Sequence, residues 1–150
     1  MSHTYTNLLS HLVFSTKDRR PLIDPELKPR LLSYVIGIAR NSGSKVLSIN
    51  AVEDHLHLLW ELSPTWSLSD AARVLKTNSS RWVHETSKSR QTFAWQTGYG
   101  AFSVSRSNIS AVAHYIEAQE QHHRRRTFEE EFIDLLVKHG IDYDPKYVLG

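Results

Sequence analysis

Two histidines one residue apart, His55 and His57, sit in the run Glu53-Asp54-His55-Leu56-His57-Leu58-Leu59-Trp60, whose other residues read as a β-strand. Side chains alternate across a strand, so both imidazoles point to one face while Leu56, Leu58, Trp60 and Leu62 fill the other. Imidazoles about 7 Å apart at the backbone, the two-residue strand spacing, can converge on one divalent cation, and a cation there can polarise a phosphate. Two histidines hydrogen-bonded on a sheet surface are the simpler account of so short a motif, so a metal needs further residues in its favour.

Tyr115 and Gln119 supply them. They lie four residues apart in a helical segment, neighbours on one face beside Ile116, and His122 continues that face. The Gln119 amide oxygen can act as a third, neutral ligand. The Tyr115 phenol becomes a nucleophile when a cation stabilises the reacting phosphate and the phenolic proton is removed. A free phenol, with a pKa near 10, is only about one part in a thousand ionised at neutral pH, so the cation is what makes tyrosine chemistry feasible. The positions one turn away are Ala111, Val112, Ala118 and Gln119, so a single nucleophile per chain is expected. His11, His84, His114 and His139 receive no role.

Strands and helices must position these groups. Leu8 to Thr16 reads as a first strand with Leu8, Leu12 and Phe14 on one face, and the basic segment Lys17-Asp18-Arg19-Arg20-Pro21 reads as a loop. Asp24, Pro25 and Pro29 signal a helix starting near Pro29, with Leu27, Leu31, Val35 and Ile38 at helical period until Asn41-Ser42-Gly43. Leu47, Ile49 and Ala51 form a strand paired tightly with the histidine strand. Ser67 and Asp70 start a second helix with Leu68, Ala71, Ala72, Leu75 and Trp82 inward and Arg73, Lys76 and Arg81 on its other face. The glycine pair Gly98 and Gly100 suggests a turn or a close backbone approach, followed by a strand over Ala101 to Ser105. Ser107 can cap a third helix with Ile109, Val112, Ala113 and Ile116 as its core stripe. A last helix opens with the capping box Thr127-x-x-Glu130, carries Phe128, Phe132, Leu135 and Leu136, and ends at Gly140.

The order strand, helix, strand, strand, helix, strand predicts an α+β fold: a ferredoxin-like or RRM-like split βαβ antiparallel sheet, helices on one face, and extra C-terminal helices. On this reading the histidines lie on an exposed sheet face open to a polymeric substrate. A chain of 150 residues with 40% hydrophobic content suits one domain over residues 1–150. Without cysteine there are no disulfides or thiolate ligands, and no apolar stretch approaches the roughly 18 residues of a spanning helix. A soluble, unprocessed protein of a reducing cytoplasm is expected, with no membrane partner. The formal net charge of +2 permits nucleic acid as a partner without establishing it.

Several segments together resemble the HUH single-tyrosine transposases of small bacterial insertion sequences and their domesticated repeat-associated relatives. They are Leu12-Val13-Phe14-Ser15-Thr16-Lys17 with Arg19-Arg20-Pro21, Asp54-His55-Leu56-His57, Trp95-Gln96-x-Gly98-Tyr99-Gly100-Ala101-Phe102-Ser103-Val104, and Tyr115-Ile116-x-x-Gln119 followed by His122-His123. The resemblance implies that His55, His57 and Gln119 bind Mg²⁺ or Mn²⁺ and that Tyr115 attacks single-stranded DNA to form a 5′-phosphotyrosine link. It also implies hairpin-marked DNA ends as substrate, a bacterial or archaeal cytoplasm, and a homodimer in which the tyrosine helix of one copy can complete the site of the other.

Lys17, Arg19 and Arg20, the helix residues Lys76 and Arg81, and Arg124 in the run His122-His123-Arg124-Arg125-Arg126 are candidates for phosphate contact, although solvated charge explains each equally well. Trp95, Tyr99 and Phe102 can stack on bases, but core packing is the commoner fate of such aromatics. A cation-dependent DNA strand transferase is therefore expected. A catalytically silent hairpin-binding module and a phosphodiesterase that uses water are the alternatives.

Overall fold

The computed structural model describes residues 3–123 and 125–149. Four strands form one antiparallel sheet: β1 (Leu9–Ser15), β2 (Lys45–Ala51), β3 (His55–Glu61) and β4 (Gly100–Ser103), in the order β2-β3-β1-β4. Helix α1 (Leu27–Asn41) joins β1 to β2, which leaves β3 between those two strands and makes the βαβ unit a split one. Helix α2 (Leu68–Thr86) joins β3 to β4. Helices α3 (Ile109–Glu117), α4 (Gln119–His122) and α5 (Phe128–Lys138) follow the sheet.

Alternation along the two central strands produces two cores. Leu12, Phe14, Leu56, Leu58 and Trp60 turn to one face, where Leu27, Leu31 and Val35 of α1 and Ala71, Ala72, Leu75 and Val83 of α2 cover them. Val13 turns to the other face and joins Phe102, Phe128, Phe132, Leu135 and Leu136. The histidine face is therefore not open: α3 and α5 lie over it, and His55 and His57 are fully buried. The apolar stripe of α5 has to leave water, and the sheet face not taken by α1 and α2 receives it.

Several boundaries differ from the sequence reading. Helix α1 starts at Leu27, two residues before Pro29, because the Asp24 carboxylate accepts from the Leu27 backbone N–H at 2.8 Å and Pro29 fits in the first turn. Leu8 is exposed and precedes β1, whereas Leu9, the first residue of the strand, is buried. Strand β4 stops at Ser103, two residues early. In α3 only Ile116 is buried, whereas Ile109, Val112 and Ala113 are partly covered. Ser67 caps α2 through the Asp70 N–H, and Thr127 and Glu130 complete their reciprocal capping box. At Gly100 a Cβ would meet Phe132 Cε1 at 2.5 Å, so the glycine is what lets α5 approach β4.

Candidate active site

Backbone pairing sets the floor of the site. Strand β3 lies between β1 and β2, with His57 opposite Val13 on one side and Asn50 on the other. The Asn50 amide donates to the Ile116 carbonyl at 2.9 Å and so ties the end of α3 to the sheet. Ala118 then leaves helical geometry, breaking α3 from α4, yet Gln119 still reaches back to the Tyr115 carbonyl at 3.3 Å. Tyr115 and Gln119 are thereby held over the histidine pair.

The centre of the site is Glu131 of α5. Its side chain is fully buried, and one carboxylate oxygen lies 3.2 Å from His55 Nε2, 3.1 Å from His57 Nε2 and 3.1 Å from His123 Nε2. The other oxygen accepts the Tyr115 phenolic O–H. The Gln119 amide oxygen is 3.3 Å from His55 Nε2 and 3.0 Å from His123 Nε2. Behind the imidazoles, His55 Nδ1 is 2.7 Å from the Asp54 carboxylate, and His57 Nδ1 is 2.7 Å from His11 Nε2. Second partners of this kind fix ring orientation and leave Nε2 for the cluster.

Ligand atoms of His55, His57, His123 and Glu131 all lie within 4.8 Å of one another, a set of three imidazoles and one carboxylate that suits a divalent first-row ion. The fit is electrostatic as well as geometric. Burial, the largest influence on Glu131, favours its neutral form, but the surrounding His123, His55 and His57 outweigh burial and hold the carboxylate ionised. Burial opposes charge on His55 too, yet the Asp54 and Glu131 carboxylates raise its pKa. His57 goes the other way: its complete burial prevails over Glu131 and lowers it. Burial and the neighbouring His57 push His11 down to about 3, so it remains neutral. The phenol of Tyr115 is raised, first by burial and then by Glu131.

Tyr115 itself is half-buried. Its ring stacks on His122 at 4.7 Å between centroids and meets His57 edge-on at 5.9 Å, and Arg126 donates to its oxygen at 3.1 Å. A cleft of about 330 Å³ reaches Tyr115 between β4, α3 and α5, with His11, Phe102, Asn108 and Lys138 among its walls. A second cleft of about 820 Å³ reaches His123 and Arg126 from the side of Lys28 and Asp54.

The sequence reading brought together His55, His57, Gln119 and Tyr115, which are neighbours in space. It missed Glu131, His123 and His11. Glu131 carried a readable signal, since it stands three residues after Phe128 and four before Leu135, a carboxylate inside an apolar stripe. The basic candidates fall elsewhere. Lys17 and Arg20 are exposed on the turn after β1, where Arg19 is partly covered. Lys76 is half-buried with its ammonium donating to the Gly98 carbonyl at 2.9 Å, not on a free outer face. Arg81 is exposed on α2, the layer on the opposite side of the sheet from the cluster. Arg124 lies outside the described residues. Trp95 and Phe102 are buried, the Trp95 indole donating to Ser79 at 2.9 Å, while Tyr99 is exposed.

A ferredoxin-like sheet with paired histidines on a central strand and a tyrosine on a covering helix defines a protein of the HUH class. Residues 4–119 match the family described as "Transposase IS200 like". The chain belongs to that family. It is 28% identical over 124 residues to the transposase for insertion sequence element IS200 of Salmonella typhimurium, covering 79% of this chain and 81% of that one. It is 26% identical over 114 residues to the ISDra2 transposase TnpA of Deinococcus radiodurans, covering 73% and 81%. Among solved structures, a Deinococcus radiodurans chain assigned as a transposase superposes with a TM-score of 0.61 at 25% identity, covering 79% of this chain and 96% of that one. A REP-associated tyrosine transposase bound to a REP hairpin superposes with a TM-score of 0.60 at 15% identity, covering 82% and 73%, which is a likeness of fold. Among the described residues no helix is long and apolar enough to cross a membrane.

Proposed function

We propose that this transposase cleaves and rejoins single-stranded DNA at hairpin-marked ends through a covalent 5′-phosphotyrosine on Tyr115, with a divalent cation in the histidine cluster. The observation that carries this reading is the link from nucleophile to cluster: the Tyr115 phenol donates to Glu131, whose second oxygen touches three imidazoles. A packing tyrosine has no need of such a connection, and a silent DNA-binding module has no need of a nucleophile.

His55, His57 and His123 would hold the cation, with Glu131 and Gln119 as oxygen donors beside them. Bound there, it supplies Lewis-acid polarisation of the scissile phosphate. The chain's own residues do the rest. Asp54 and His11 orient the imidazoles, Asn50 and Gln119 hold the tyrosine helix, and the cleft at Phe102 and Asn108 admits the strand. Attack by the phenol exchanges one phosphodiester for another, so a free 3′-hydroxyl can later displace the tyrosine without ATP. Within one chain Tyr115 is joined to the cluster through Glu131, an arrangement in cis. A REP hairpin in the related structure makes hairpin DNA the first substrate to try.

The test incubates purified protein with a labelled hairpin oligonucleotide and Mn²⁺ or Mg²⁺ and looks for a denaturant-resistant adduct. The wild type should give one and Tyr115→Phe none, with hairpin binding retained. An adduct that persists in Tyr115→Phe would reassign the nucleophile, and free cleaved product with no adduct would make water the attacking group.

A further inference from the structure

We infer that Arg126, a residue given no part of its own so far, is a catalytic residue of the strand cleavage proposed above, on which this inference rests: its guanidinium neutralises the charge that gathers on the Tyr115 oxygen and on the phosphate joining it.

The phenolic oxygen has polar partners of opposite character. It donates its proton to Glu131, and it accepts from Arg126 Nη2 at 3.1 Å. The other arm of the guanidinium, Nη1, is held by the Asp134 carboxylate at 3.3 Å, and Lys138 holds the same carboxylate at 3.0 Å. Asp134 therefore fixes one edge of the planar fork and leaves the other aimed at the phenol. Position in the chain explains the aim. Arg126 immediately precedes Thr127, the cap of α5, so the capping box that starts the helix also seats Arg126, and one turn later the helix delivers Glu131 to the same oxygen.

Without a cationic donor, the negative charge that develops on the phenolic oxygen would face the negatively charged phosphate it attacks. Arg126 works against that repulsion from 3.1 Å away. Fixed donors aimed at developing charge are the usual source of large rate effects. In the step, the phenolic proton, held on its hydrogen bond to Glu131, is lost to water as the oxygen lone pair forms the bond to phosphorus. The bond from phosphorus to the 3′-oxygen breaks, and its electron pair leaves with that oxygen, which takes a proton from water. One proton is lost to water at the phenol and one is taken from water at the 3′-oxygen, so cleavage is proton-neutral.

Adduct formation with a labelled hairpin oligonucleotide and Mn²⁺ tests the inference, with hairpin affinity measured separately and folding checked by circular dichroism. Arg126→Ala should slow adduct formation by about 10²–10³-fold, the usual effect of removing one aimed donor, while affinity changes less than about threefold. Arg126→Lys should recover only part of the rate because an ammonium cannot hold Asp134 and the phenol together, and millimolar methylguanidinium should partly rescue Arg126→Ala. Asp134→Asn, which leaves the guanidinium in place but loosens it, should give an intermediate rate. An Arg126→Ala rate within about threefold of wild type would overturn the inference, and so would a loss matched by an equal loss of hairpin affinity. Failure of the underlying reading looks different: the wild type itself forms no adduct, or Tyr115→Phe still does.

Discussion

Removing the Glu131 carboxylate should destabilise the protein by about 2–4 kcal/mol in the absence of metal. Truncation to Ala deletes the contacts of one oxygen with His55, His57 and His123 and the acceptor of the Tyr115 phenol. Not all of these groups are orphaned. His55 and His123 keep Gln119, and Tyr115 keeps Arg126, whereas among the described residues His57 keeps His11 alone, on its other nitrogen. The loss is thus one stranded buried donor, at about 1–3 kcal/mol, together with a small cavity and weakened charge-assisted bonds. For a chain of this length each kcal/mol moves the midpoint by about 2–4 °C, so thermal unfolding should shift down by about 5–15 °C. Glu131→Gln keeps the shape and one acceptor, and it should cost less than half as much. Differential scanning calorimetry in chelator reads both variants. A Glu131→Ala midpoint at or above that of the wild type would refute the argument, because it would mean that the carboxylate was a buried charge whose removal relieves the fold.

Gly100→Ala forces a methyl into Phe132 and should cost about 1–3 kcal/mol by overpacking, with amide exchange rising along α5 before it rises in α1 or α2. Asp24 is held down to about 2 by its hydrogen bond with Arg90, so its contribution is complete above its ordinary value of 3.8 and is lost as pH falls toward about 2. Asp24→Asn should therefore flatten acid unfolding over that window, and a slope equal to wild type would remove Asp24 from the account. Saturating Mn²⁺ should stabilise the wild type, by about 2.7 kcal/mol at a hundredfold excess over Kd, and should leave His57→Ala nearly unmoved in the same calorimeter. Equal stabilisation of both would place the cation elsewhere.

Much of this site was legible because strand and helix periods report faces directly. Leu56, Leu58 and Trp60 alternating with His55 and His57 defined both sides of β3, and the spacing from Tyr115 to Gln119 survives even the break at Ala118. The capping residues Ser67 and Thr127 act locally and were equally readable. What local pattern does not contain is docking. His11 meets His57 only through the register of β1 on β3, and Glu131 looks like one of three acidic residues complementing a helix N-terminus until α5 is laid on the sheet. The expectation of an open histidine face failed for the same reason. The apolar stripe of α5 is plain in the sequence, but its partner surface, beside Val13 and Phe102, is the sheet face that carries the histidines.

The atom that bonds to phosphorus decides the mechanism. Mass spectrometry of the proteolysed adduct should find a single modified peptide containing Tyr115, with the nucleotide attached through its 5′-phosphate to that side chain. A nucleotide carried by any other residue, such as Tyr99 or Tyr143, would contradict it.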